Sequence, residues 1–133
     1  MSERFALDAS AVLATLGREP GREAVLAALP GALLSTVNLA EVVTKLVDRG
    51  IAASRARALA LELKVDLVEL DADTAETAGA LRLVTRVAGL SLGDRCCLAL
   101  AKRHGAVALT TDRAWASVAS AVGVTIRNIR PLS

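Results

Sequence analysis

The sequence predicts an α/β protein, a three-layer α/β/α sandwich built on one central parallel sheet. Two observations carry this. Short apolar runs alternate with segments of helical period along the whole chain, and strands joined through helices pair in parallel by right-handed crossovers that cover both faces. The 133 residues, 53% hydrophobic and 23% charged, suffice for a single core and show no repeat, low-complexity tract or linker. Residues 1–133 therefore read as one domain.

Taken in order, Phe5-Ala6-Leu7 is a short strand that ends at Asp8. Ala11, Val12, Leu13 and Leu16 carry a helical period that Gly17 stops. After the Glu19-Pro20-Gly21 turn, residues 22–29 repeat that period until Pro30-Gly31. Ala32-Leu33-Leu34 is the second strand, ending in Ser35-Thr36, and Asn38 caps a strongly amphipathic helix over 39–48. Residues 54–64 form a further helix, and 65–70 alternate like a strand nearer the sheet edge. Another helix starts at Asp71 or Asp73 and runs to about Val87. A helix over 96–103, a reversal at Gly105, a buried strand over 106–110, a short helix over 113–119 and a last strand over 124–129 follow. That helix carries the chain about 15 Å out and the strand brings it about 16 Å back, so Asp94 and Asp112 return to one edge.

Composition removes several function classes. Aromatic residues are 2%, with one Phe, one Trp and no Tyr, which leaves no base-stacking platform. A net charge of +2 gives no global basic field. The N-terminal residues lack the apolar stretch of a signal peptide, and no apolar run approaches a membrane span. The only cysteines, Cys96 and Cys97, are neighbours and form no ordinary disulfide. Together these features point to the cytoplasm.

In parallel α/β sheets the chemistry lies beyond the carboxyl ends of the strands. Four acids belong to that edge: Asp8 after the first strand, Glu41 one turn into the helix after the second, Asp94 at a helix start, and Asp112 after the buried fourth strand. Each has an ordinary role available. Asp8 and Asp112 suit helix N-caps, and Asn38-Leu-Ala-Glu41 and Ser91-Leu-Gly-Asp94 have capping-box spacing. Their convergence asks for more. Carboxylates brought together repel and call for a cation, and hard oxygen donors without a His or Cys cluster suit Mg²⁺ or Mn²⁺. Such an ion activates water and offsets charge at a phosphodiester.

Leu7-Asp8-Ala9-Ser10, Ser35-Thr36-Val37-Asn38-Leu39-Ala40-Glu41, Leu90-Ser91-Leu92-Gly93-Asp94 and Leu109-Thr110-Thr111-Asp112-Arg113, in that order, resemble the PIN-domain nucleases. Within them the set is similar to the VapC-type toxins of bacterial type II toxin–antitoxin pairs. The resemblance implies a PIN-like sandwich and a Mg²⁺- or Mn²⁺-dependent endoribonuclease. Asp8, Glu41, Asp94 and Asp112 would be its catalytic and metal-binding acids, with Ser10, Asn38 and Thr110 orienting them. It also implies an RNA substrate, a cognate antitoxin and a homodimer. Arg113-Ala114-Trp115 supplies no fifth acid, so one well-held ion is expected, with a second joining only alongside RNA phosphate. No residue presents itself as a conventional general base.

Arg95 and Arg113 each follow one of the four acids and are candidates for RNA contact. Cys96 and Cys97 read as core, His104 as a helix-terminal residue facing the dipole, and Trp115 as packing for the last helix. The helix over 39–47 is expected to expose Val42, Val43, Leu46 and Val47 as a partner surface. Two competing readings stand beside the nuclease. A haloacid-dehalogenase-like phosphatase needs a second aspartate two positions after Asp8, where Ser10 stands. A catalytically silent PIN-like binding scaffold would be expected to have lost an acid, and all four are present.

Overall fold

Residues 3–130 are described by a computed structural model. Strands β1 (Phe5–Leu7), β2 (Leu33–Ser35), β3 (Asp66–Val68), β4 (Val107–Thr110) and β5 (Ile126–Asn128) form one parallel sheet in the order β3-β2-β1-β4-β5. Helices α1 (Ala9–Leu16) and α2 (Arg22–Ala28) follow β1, and α3 (Thr36–Asp48) and α4 (Ala53–Leu61) follow β2. Between β3 and β4 come α5 (Ala72–Ala80), α6 (Arg82–Thr85) and α7 (Leu92–His104). A 3₁₀ turn (Arg113–Val118) and α8 (Ala119–Val122) lead into β5.

The period-two alternation of the strands divides the interior into two cores. Ala6, Leu33, Ala106 and Ala108 pack with Leu98, Ala101 and Trp115 on one face. Leu7, Leu34, Val107 and Leu109 pack with Val12, Val42 and Ala56 on the other. Ala6 of β1, Ala108 of β4 and Ala106 just before β4 are small, which lets α7 lie close against β1, β2 and β4. β1, β2 and β4 are inner strands covered on both faces, which explains why they read as unbroken apolar runs. β3 lies at an edge and keeps alternating polarity, as the sequence predicts.

From β1 the chain steps outward through β2 to β3, then returns to lay β4 on β1's other side. The strand order therefore reverses between β1 and β4, and a crevice opens there beyond their carboxyl ends.

Four sequence expectations need correction. Ser35, not Asn38, caps α3: its backbone is extended and its hydroxyl accepts from Val37 N, so Asn38 lies inside the first turn. The helix expected over 71–87 breaks at Leu81, where ψ opens to −16° and Val84 N bonds back only three residues, to Leu81 O. Val42 and Leu46 are buried in the second core rather than exposed, which leaves Val47 on the outer face. The turn after Asp112 is 3₁₀ through Val118 before α8 begins. Cys96 and Cys97 are free and buried, and burial pushes both thiols up. His104 ends α7 as expected, with Nδ1 3.4 Å from Arg4 Nη1.

Candidate active site

Asp8 terminates β1 and caps α1, accepting from Ala11 N at 2.8 Å. Its carboxylate is almost fully buried, yet no cation pairs with it among the described residues. Hydroxyls hold it instead. Ser10 Oγ lies 2.7 and 2.9 Å from its two oxygens, and Thr110 Oγ1 donates to Oδ2 at 2.6 Å. Those hydroxyls are themselves fixed from β4's far end, Ser10 Oγ accepting from Thr111 N and Thr110 Oγ1 from Asp112 N, each at 3.0 Å. Burial lifts the Asp8 carboxyl to about 6; the Thr110, Ser10 and Ala11 hydrogen bonds oppose the rise, and the nearby charge of Asp94 adds to it.

Glu41 comes from α3, where Asn38 Nδ2 donates to its Oε1 at 2.8 Å. The same amide donates to Gly93 O at 3.1 Å, so Asn38, fully buried, ties Glu41 to the first turn of α7. Asn38-x-x-Glu41 is thus a bridge between helices rather than a capping box. Ser91-x-x-Asp94 does form a capping box: Ser91 Oγ accepts from Asp94 N, and Asp94 Oδ2 accepts from Ser91 N at 2.9 Å. Asp112 caps the 3₁₀ turn by accepting from Ala114 N at 2.9 Å through Oδ1.

The four acids thus come from four separate elements, and they line one cleft of about 210 Å³ at the carboxyl edge of β1 and β4. Three are anchored through a single oxygen. Glu41 Oε2, Asp94 Oδ1 and Asp112 Oδ2 have no hydrogen-bond donor among the described residues. For Asp94 and Asp112 the capping role and the place in the cleft are therefore compatible: one oxygen serves the cap and the other is spare.

Residues 5–121 match the family model of the PIN domain. The chain belongs to the PIN domain family. No curated protein matches it in sequence. Among solved structures it is similar to VapC20 of Mycobacterium tuberculosis, a sarcin-ricin loop cleaving toxin, at 25% identity and a TM-score of 0.73, covering 96% of this chain and 99% of that one. A toxin–antitoxin complex from Klebsiella pneumoniae shares 18% identity with a TM-score of 0.73, over 98% and 100% of the two chains. DNA-bound VapBC from Salmonella typhimurium shares 18% with a TM-score of 0.72, over 96% and 99%.

Whether this PIN domain's acids fit a cation can be judged from their donors. Among the described residues no three of His, Cys, Asp and Glu are grouped tightly enough to enclose an ion by themselves. Mg²⁺ does not ask for that. It usually keeps several waters and takes only one or two carboxylates, and the three spare oxygens are hard donors. The set fits.

Two residues of the PIN cleft escaped the sequence reading. Gly93 has no room for a side chain, because a Cβ there would collide with the Glu41 carboxylate. A glycine in a helix's first turn, directly before an acid, was the available signal. Lys45 lines the cleft beside the acids, four residues after Glu41 on α3. Of the two arginines singled out, Arg95 directs Nη1 to Ala78 O at 3.0 Å, linking α7 to α5. Arg113 is exposed and lines an adjoining cavity of about 230 Å³ with Asp112 and Asn128.

Proposed function

We propose that this PIN domain is the toxin of a VapBC-like toxin–antitoxin pair, a Mg²⁺- or Mn²⁺-dependent endoribonuclease. The observation that carries the reading is the shared cleft of Asp8, Glu41, Asp94 and Asp112, three of which keep an unengaged oxygen. The cation, held by those carboxylates, would supply Lewis-acid stabilisation of the phosphoryl group and an activated water. Asp8, Ser10 and Thr110 hold the floor of the cleft in one geometry, while Asn38 keeps Glu41 over Gly93. With no cation bound, burial holds the Asp8 carboxyl at about 6, and a divalent ion held beside it would favour the ionised carboxylate. Arg113, exposed beyond Asp112, is better placed than Arg95 to meet RNA phosphate.

The relatives' complexes support an antitoxin as partner, and a homodimer acting in the cytoplasm accompanies that reading. Among the described residues no helix is long and apolar enough to cross a membrane. The test is direct. Purified protein should cut single-stranded or looped RNA with Mg²⁺ or Mn²⁺, lose cutting in chelator, and lose it on Asp94→Asn with the fold retained. Cutting by Asp94→Asn at the parent rate rejects the nuclease. Induction in a host should arrest growth, and co-expression of the small protein encoded beside it should relieve the arrest.

A further inference from the structure

The acidic cleft contains one side chain of opposite sign. Lys45 lines it together with Asp8, Glu41, Asp94 and Asp112, and no other lysine or arginine does. It lies one helical turn beyond Glu41, in the order that favours a Glu–Lys pair along a helix. The pair is nevertheless not formed. Glu41 is bonded to Asn38, and Lys45 makes no ion pair or side-chain hydrogen bond among the described residues. Some cations elsewhere are engaged, Arg103 with Asp71, Arg127 with Glu3, Arg130 with Glu19 and Lys102 with Val122 O, while others, such as Arg49, Arg57 and Lys64, have no such partner among the described residues. What sets Lys45 apart is its place: its exposed side chain borders the four carboxylates of the cleft without pairing with any of them.

A polyanion crossing four carboxylates is repelled, and a bound divalent ion offsets only part of that charge. A lysine at the rim supplies a compact point charge suited to a phosphate oxygen. Arg113 stands on the other side, in the cavity that shares Asp112 as a wall. The acids are therefore bracketed by one cation on α3 and one beyond β4.

We infer that Lys45 is a substrate-binding residue that anchors an RNA phosphate next to the scissile one, so that the strand runs from α3 across the acids toward Arg113. This rests on the ribonuclease reading. The substrate meets Lys45 on one flank and Arg113 on the other, with the reacting phosphate between them.

The test compares wild type with Lys45→Met, Lys45→Arg and Lys64→Met. Lys64 precedes β3, at the opposite edge of the sheet, and its change matches the loss of charge. Binding of a short single-stranded RNA oligonucleotide is measured against salt with Ca²⁺ in place of Mg²⁺, and cleavage is measured with Mg²⁺. Lys45→Met should flatten the slope of log affinity against log salt by about 0.7, the value for one contact on a single strand. It should raise KM about three- to tenfold with kcat within about twofold, as for loss of a phosphate contact. Lys45→Arg should restore both, and Lys64→Met should change neither. An unchanged slope and KM in Lys45→Met, with wild type binding and cutting RNA, overturns the anchor and leaves the nuclease intact. A shift confined to the Mg²⁺ half-saturation point also overturns it, since Lys45 would then act on the acids. A wild type that neither binds nor cuts RNA overturns the ribonuclease reading, and the anchor with it.

Discussion

Thr110 Oγ1 donates a 2.6 Å hydrogen bond to Asp8 Oδ2 across 102 positions of sequence, and accepts one from Asp112 N at 3.0 Å. One buried hydroxyl thus holds the carboxylate of one acid and the backbone of another, at the carboxyl ends of the paired strands β1 and β4. It also favours the ionised form of Asp8 against its burial. Thr110→Val keeps the shape and removes both bonds. We expect a loss of about 1–3 kcal/mol in stability, the cost of leaving buried polar groups unpaired. The Asp8 carboxyl should rise above 6, so the acid limb of RNA cleavage should move to higher pH. A cleavage profile identical to wild type's contradicts this role.

The elevated Asp8 carboxyl makes a prediction about the metal-free protein. Its folded value of about 6 lies above the ordinary 3.8, so between those values the native state binds more protons than the unfolded state. Stability associated with Asp8 is therefore highest below about 4 and is lost as pH rises to about 6. The shift corresponds to at most about 3 kcal/mol. Asp8→Asn removes the charge and still offers hydrogen-bonding atoms to Ala11, Ser10 and Thr110. In chelator, its melting temperature should exceed wild type's at pH 7.5, with the difference shrinking toward zero near pH 4. A difference that does not change with pH contradicts the assignment.

The parts legible in the sequence were those governed by local pattern. Phe5-Ala6-Leu7 and Val107-Ala108-Leu109 read as strands because inner strands of a parallel sheet are apolar on both faces, and each is followed by a helix-capping acid. Where local signals compete, the pattern misleads. Ser35, Thr36 and Asn38 are all capping residues within four positions, and only the extended backbone at Ser35 decides among them. Residues 81–87 keep a helical period although Leu83 and Val87 face outward, so nothing local marks the 3₁₀ step at Leu81. The four acids were readable by type and order. The Asn38 bridge, the glycine beneath Glu41 and the unpaired Lys45 were not, because each depends on how α3 sits against α7.

Gly93→Ala separates stability from site geometry. Alanine is the better helix former by about 1 kcal/mol, so α7 itself should not suffer. The added methyl, however, occupies the position of the Glu41 carboxylate, which would have to leave its bond to Asn38. We expect a melting temperature near wild type's, with Mg²⁺-dependent RNA cleavage reduced at least about tenfold, the scale for disturbing a ligand's support. Wild-type activity in Gly93→Ala shows that Glu41 need not stand where it does.

Metal linkage tests the cleft without any substrate. A cation that binds only the native state stabilises it by RT ln(1 + [L]/Kd), about 2.7 kcal/mol at a hundredfold excess over Kd. Mg²⁺ or Mn²⁺ should therefore raise the melting temperature reversibly, and chelator should return it. Binding needs ionised acids, and Asp8 holds its proton up to about 6, so the rise should be much larger at pH 7.5 than at pH 5. Asp94→Asn should keep its cap, since an asparagine oxygen can still accept from Ser91 N, and so should melt close to wild type in chelator. It should, however, lose most of the metal-induced rise. An undiminished rise in Asp94→Asn means that the ion binds elsewhere and that Asp94 serves only to cap α7.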